Sequence, residues 1–233
     1  MGSLLPWVML RKEFEVAEYQ RARTAEQKAE RLEAIMDAAE SLFRDLPYHE
    51  INMGLIAKEL GWSRSNLYKY ASTQEELFLS LHERAHRFYI EELIGELPGS
   101  PASDQAFART WAEVTGRHAI FLRYQDILIA IIESNASLER LTDFKRSLMA
   151  MTAPLIDALA RQLGAAPDQA RDQMRELYFR LLFQAPNLYS HFHPVGRSAE
   201  AMHLAGLPRA VGTFEDAFAD FCEMCLARER GRA

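Results

Sequence analysis

Apolar residues recur at steps of three and four along almost the whole of this 233-residue chain, and no stretch alternates apolar with polar as a half-buried strand would. A chain so patterned must bury helical stripes against one another, and the expected fold class is all-α. The first clear stripe is Ile35, Ala39, Leu42, Phe43 and Leu46, on a helix opening at Thr24 with Gln27 completing a capping box and Pro47 ending it. Two short helices are expected next, Met53–Leu60 and Ser63–Tyr70. A longer one follows from a Thr73 cap, with Glu75 and Glu76 in its first turn, where the helix dipole favours acids.

Leu97-Pro98-Gly99-Ser100-Pro101 is the clearest break and the expected domain joint. Beyond it the period predicts helices near Ser103–Gly116, Arg117–Ser134, Leu138–Leu163, Asp168–Ala185 and Thr213–Arg230. The run Ala119–Ile132 is apolar nearly all round, which predicts a central, buried helix. Asn187–Pro208, preceded by Pro186 and holding Pro194, Gly196 and Gly206, is expected to be a long irregular loop. Residues 1–23 read as an extension, with Trp7, Leu10, Phe14 and Ala17 spaced for an extra amphipathic helix.

Composition narrows the function. Apolar residues make up 48 %, enough for a substantial core, and the net charge is −6, so no whole-chain basic field advertises nucleic acid. Any DNA binding must come from a local face. Cys222 and Cys225 alone cannot make a disulfide framework, which suits a reducing compartment. The apolar run Leu4–Leu10 lacks the preceding charge and the cleavage site of a signal peptide, and nothing approaches the roughly 20 apolar residues of a membrane span. A cytoplasmic chain with no membrane partner is the expectation.

Local chemistry is richest between the two short helices. Ala57, Gly61 and Leu67 stand at the spacing small-x3-Gly-x5-apolar. Two helices crossing steeply need a small side chain at closest approach, the turn needs a left-handed residue, and the second helix needs an apolar pin. The outer face of that second helix carries Ser63, Arg64, Asn66 and Lys69, all able to bond phosphates or base edges. From Ile51 to Thr73, Lys58, Arg64 and Lys69 stand against Glu59 alone, a local charge of +2 in an acidic chain.

On these residues, and on Tyr68 and the capped Thr73-Gln74-Glu75-Glu76-Leu77 start of the next helix, the stretch Arg31–Leu77 resembles the N-terminal domain of the TetR (tetracycline repressor) family of transcriptional regulators. The resemblance implies an N-terminal three-helix helix-turn-helix domain followed by a helical-bundle effector-binding and dimerisation domain. It implies a double-stranded DNA operator, a small-molecule effector of unknown identity, no cofactor, and a homodimer through the last two long helices. Two positions depart from the family: Ala71 stands where an aromatic is usual, with Tyr70 or Trp62 as substitutes, and Gln74 where a lysine often stands. Residues 24–96 are expected to form the DNA-binding part with its connecting helix, and 97–233 the effector and dimerisation part. Arg64, Ser65 and Asn66 are expected to reach base edges; Tyr68, Lys69 and Thr73 suit phosphates, and Asn52, Lys58 and Ser63 complete the expected DNA contacts.

Other motifs compete. His82-Glu83-Arg84-Ala85-His86 matches the H-E-x-x-H zinc-hydrolase pattern, but no third ligand follows at a usable spacing, and two histidines on a connecting helix is the plainer reading. Cys222-x-x-Cys225 lies late in a helical pattern rather than at the N-terminus that would activate a thiol, so packed thiols are favoured over a redox sensor. Arg21 and Arg23 could form a minor-groove arm, though the neighbouring glutamates argue equally for a solvated helix. A protein-interaction module using the Trp7–Ala17 helix, without DNA binding, is a further alternative. Trp111, Phe121, Tyr124 and Phe179 are candidate walls of an effector pocket, with Arg123, Gln125 and Asp126 as its polar fittings. An internal Arg123–Asp126 pair would explain two of these without any ligand. Dimerisation is expected on two stripes: Ala170, Met174, Leu177, Leu181 and Leu182, and Phe214, Phe218, Phe221, Cys222 and Cys225.

Overall fold

The computed structural model describes residues 26–98, 102–165 and 167–231, with the backbone alone for 167–170. The expected Thr24 cap, the Trp7–Ala17 helix and the Arg21 and Arg23 arm lie outside these residues. All regular elements among the described residues are helical. The chain divides into two compact units, Met1–Leu77 and Phe78–Ala233, the division falling inside a helix.

In the first unit, helix α1 spans residues 26–45 and sets Ile35, Ala39 and Phe43 into the core. A single 3-10 turn, Tyr48–Glu50, follows Pro47. Helix α2, Met53–Glu59, is capped by the Asn52 side chain, which accepts from the Leu55 amide at 3.0 Å. Gly61 then takes the left-handed conformation, φ 66°, that a β-carbon would oppose. Helix α3, Arg64–Leu67, is capped by Ser63, and Leu67 is fully buried against α2. The expected Ser63–Tyr70 helix is thus shorter. After Leu67 the amides of Lys69 and Tyr70 reach back only three residues, to Asn66 and Leu67, and the tightened turn drops Ala71 into the core.

Helix α4, Gln74–Glu96, opens on Thr73, whose hydroxyl accepts from the Glu76 amide at 3.1 Å. The second unit continues with α5 (Asp104–Arg117), α6 (Ala119–Ile127), a π turn (Leu128–Ile132), α7 (Glu133–Asn135), α8 (Leu138–Leu163), α9 (Pro167–Phe192), α10 (Gly196–Leu204) and α11 (Phe214–Arg230). Helix α11 packs chiefly on α5, and α9 on α8, α6 and α11. Trp111, Phe121, Tyr124, Phe144, Tyr178, Phe214 and Phe218 fill the core. At one end Arg230 forks onto both oxygens of Asp104 at 2.8 and 2.9 Å and donates to the Gln162 carbonyl, which ties α5, α8 and α11 together.

Three expectations are corrected. The loop expected at Asn187–Pro208 is mostly helix: α9 runs through Pro186 to Phe192, and α10 follows. Pro186 has no N–H for the Leu182 carbonyl, and the next carbonyl, that of Phe183, accepts from the Asn187 side-chain Nδ2 at 2.8 Å. The packing of Ala185 in the core and of the Tyr189 ring on Phe214 holds the helix beyond the break. The run Ala119–Ile132 is not buried all round. The π turn shifts the register so that Leu128 and Ile132 point inward while Ile129, 55 % exposed, and Ile131 face out. Most of the two stripes assigned to dimerisation are also interior to one chain. Met174, Leu177, Leu181, Leu182, Phe214, Phe218, Cys222 and Cys225 are all buried against neighbouring helices of the same unit, while Phe221 is half-buried.

Candidate nucleic-acid interface

The first unit presents its polar residues from a rigid turn. Ala57, 1 % exposed, lets α2 and α3 approach, and its carbonyl accepts from the Trp62 amide at 2.8 Å to close the turn around Gly61. With Leu67 pinned inward, Ser63, Arg64, Ser65, Tyr68 and Lys69 are exposed and Asn66 is half-buried. Lys58 is exposed on α2, and Asn52 and Thr73 are exposed caps of α2 and α4. All nine expected DNA contacts therefore belong to one turn-linked segment, none lost to the core.

Their states differ. The Ser63 hydroxyl accepts from the Asn66 amide at 3.3 Å and shares a 3.1 Å hydrogen bond with Ser65, so Ser63 acts as a cap while Ser65 stands outward of it. The Arg64 guanidinium lies flat over Gly54 of α2. A β-carbon at position 54 would sit 2.7 Å from Nε and 2.8 Å from Cζ, so Gly54 is the floor that lets the guanidinium rest there. Lys69 shares an open groove with Lys28, Arg31 and Tyr70. Lys28 and Arg31 lie on a different helix, some forty residues earlier, and the neighbouring Glu26 and Glu30 cancel their charge, so no local basic signal marks them in the sequence.

The two departures from the family pattern find structural roles. Trp62 and Tyr70 pair with ring centroids 6.1 Å apart, and Arg31 lies over the Trp62 ring at 5.1 Å. Ala71 itself is small and buried. Gln74 Nε2 donates to the Tyr48 carbonyl at 3.3 Å, and the Tyr48 hydroxyl donates to Glu75 at 3.3 Å. Burial and the Glu75 carboxylate together push the Tyr48 phenol well up, so it stays a neutral donor. Gln74 thus ties the start of α4 to the 3-10 turn.

In the second unit the expected pocket residues are dispersed. Trp111, Phe121 and Tyr124 are close-packed in the core, Trp111 against Phe107 and Tyr178 and Tyr124 edge-on to Phe78. Gln125 is buried and bonded to His82, and exposed Asp126 accepts from Ser190 at 3.1 Å. Arg123 is half-buried. Phe179, half-buried, stacks on the exposed Phe183 at 5.7 Å. An open cleft of about 550 Å3 between α9, α10 and α11 is lined by none of the seven.

His82 and His86 are fully enclosed. His82 Nε2 lies 2.8 Å from Gln125 Oε1 and His86 Nε2 2.5 Å from the Tyr178 hydroxyl, while both Nδ1 atoms are buried without a partner. Phe121 stacks on His86, and Phe144 meets His82 edge-on. Burial lowers His82 to about 4, against the small opposing pull of its Gln125 bond, and drives His86 further down with His82 beside it. The imidazoles are neutral parts of an aromatic core whose Nε2 atoms are committed to different partners. Among the described residues no group of three His, Cys, Asp or Glu side chains is placed to hold a metal. Cys222 and Cys225 are buried, and burial pushes both thiols up, which makes them poor nucleophiles.

These features define a helix-turn-helix DNA-binding regulator joined to an all-α body, and sequence comparison gives the family. Residues 35–81 match the profile of bacterial regulatory proteins of the tetR family, and residues 83–227 that of the tetracyclin repressor-like C-terminal domain. The second match alone takes in more than half of the chain, which belongs to the TetR family of transcriptional regulators. It is a DNA-binding transcription factor and not an enzyme. No curated protein matches its sequence. Among solved structures it is similar to a Mesorhizobium loti MAFF303099 protein assigned to the TetR-family regulators, with 18 % identity, coverage of 86 % of this chain and 95 % of that one, and a TM-score of 0.46. Mycobacterium smegmatis AmtR gives 20 % identity, coverage of 84 % and 92 %, and a TM-score of 0.43. No helix among the described residues is long and apolar enough to cross a membrane.

Proposed function

We propose that this regulator is a cytoplasmic, ligand-responsive repressor that binds a pseudo-palindromic operator as a homodimer. Residues 24–96 serve as the DNA-binding part with its connecting helix, and 97–233 as the effector and dimerisation part. The observation that carries the reading is the exposed row Ser63, Arg64, Ser65, Tyr68 and Lys69, held outward by buried Leu67 on a glycine turn. Arg64, Ser65 and Asn66 open the short helix and can read base edges, with Arg64 suited to the paired acceptors of guanine. Lys58, Tyr68, Lys69 and the caps Asn52, Ser63 and Thr73 suit phosphates, and Lys28 and Arg31 extend the basic edge beside Lys69.

A two-fold dimer matches a two-fold operator, with both reading helices meeting grooves one helical repeat apart. The last two long helices remain the proposed contact, now through their outward faces: Phe179 and Phe183 on α9, and Phe221 and Met224 on α11. A small effector releases DNA by changing the separation of the two heads.

The full chain should retain one genomic fragment carrying an inverted repeat, beginning the search with its own upstream region, at 150 mM salt. A chain that shows no preference over bulk DNA would overturn the reading.

A further inference from the structure

We infer that the cleft between the end of α9, α10 and the start of α11 is a binding site for a small organic acid with an apolar tail. Its volume, about 550 Å3, lies in the range of small-molecule sites, and the segment that forms it is not otherwise explained by packing. Helix α10 buries no residue, and Val195, Leu204, Leu207 and Val211 are all more than half exposed along this stretch. A chain spends ordering entropy to hold such a segment, and contacts within it return little.

The lining sorts into a floor and a polar edge. Phe214 is fully buried beneath the cleft, and half-buried Phe192 and Met202 form apolar walls. Arg209 lines it with an exposed guanidinium that makes no ion pair or hydrogen bond among the described residues. His193 is fixed: its ring stacks on Tyr189 at 4.2 Å, and Nδ1 lies 3.1 Å from the Tyr189 carbonyl. Because a carbonyl only accepts, Nδ1 carries the hydrogen and Nε2 is left as an acceptor, which suits a ligand hydroxyl or water; the anion is held by Arg209 and not by this imidazole. The one carboxylate of the lining, Glu215, lies in the first turn of α11, where the helix dipole offsets its charge, and its Oε1 lies over Gly116 of α5. No salt bridge joins it to Arg209, whose fork remains available for a carboxylate.

The site is tested without DNA, so its failure leaves the operator reading untouched. Decanoate, decylammonium and acetate are titrated calorimetrically into the full chain at 150 mM salt, pH 7.5, and into Arg209→Ala and Arg197→Ala. Both arginines are exposed, and Arg197 lies outside the lining, so both variants should keep the fold. One decanoate per chain is expected, at least tenfold weaker in Arg209→Ala and unchanged in Arg197→Ala, with no measurable binding of decylammonium or acetate. No decanoate binding, equal decanoate affinity for Arg209→Ala, or decylammonium binding as tightly at the same stoichiometry would each overturn the proposal.

Discussion

In the first unit Leu67 points into the core and Arg64, Ser65, Tyr68 and Lys69 point away from it. In the second unit Met174, Leu177, Leu181 and Phe218 point inward, Phe179 is half-buried, and Phe183 and Met224 are left outside. The same period of three and four residues builds both, yet the outward faces differ in kind. In the first, the residues left outside are hydrogen-bonding groups of the kinds that suit phosphates and base edges, so a single segment speaks for both the fold and the proposed contact. In the second, aromatic side chains occur on both faces of α9, and periodicity alone does not say which aromatic meets a neighbour in the chain and which meets a second copy.

The largest effect that can break this contrast comes from Leu181. It is 1 % exposed within one chain, so Leu181→Arg buries an unpaired charge and should cost about 4 kcal/mol or more. Urea unfolding should show a destabilised or unfolded chain at every protein concentration. Phe183, 46 % exposed, is the informative partner. Phe183→Arg should leave the melting temperature nearly unchanged while sedimentation shows monomer. A folded, dimeric Leu181→Arg protein would remove the distinction drawn between the inner and outer faces of α9.

The second unit is also expected to be the acid-sensitive one. His82 is held at about 4 inside the core against an ordinary 6.5, so the unfolded chain takes up its proton first as pH falls. The stability that neutral His82 represents is complete above about pH 6.5 and is lost as pH drops toward 4. A shift of that size corresponds to roughly 3 kcal/mol from this histidine. Chemical denaturation at pH 7.5, 6.0 and 4.5 should show a falling midpoint that His82→Gln makes shallower, with the remainder coming from buried His86. An equally steep loss in that variant would place the sensitivity elsewhere.

Gly54 offers a smaller effect, confined to the first unit. Gly54→Ala sets a β-carbon where the Arg64 guanidinium rests, and a flexible side chain can swing away. Stability should change by less than about 1 kcal/mol, while base preference at the position read by Arg64 changes. Binding selection on randomised half-sites compares the two proteins; identical preferences would mean that Arg64 does not use that floor.

What could be read in advance follows from range. Caps and turns are local, so the Thr73 cap and the left-handed Gly61 were accessible from spacing, as was the all-helical class. The Arg64–Gly54 contact, the His82–Gln125 bond across 43 residues and the Lys28–Lys69 groove join positions that no local pattern couples. Pro186 misled for a related reason: proline argues for a helix end, whereas the burial of Ala185 and the packing of Tyr189 on Phe214, both long-range, carry α9 through it. The π turn at Leu128–Ile132 likewise left Ile129 and Ile131 outside a run whose composition spoke for burial.

The central claim is that the segment from Ser63 to Tyr70 reads DNA, with base contacts at its start and phosphate contacts further on. Wild type, Arg64→Ala and Lys69→Ala are titrated on the selected operator and on a scrambled duplex at several salt concentrations. Arg64→Ala should lose about 1–3 kcal/mol on the operator alone and relax the preference at one position per half-site. Lys69→Ala should weaken both duplexes alike and reduce the salt slope by about 1 per subunit. If neither substitution changes affinity for either duplex, this segment is not the reading head and the account is wrong.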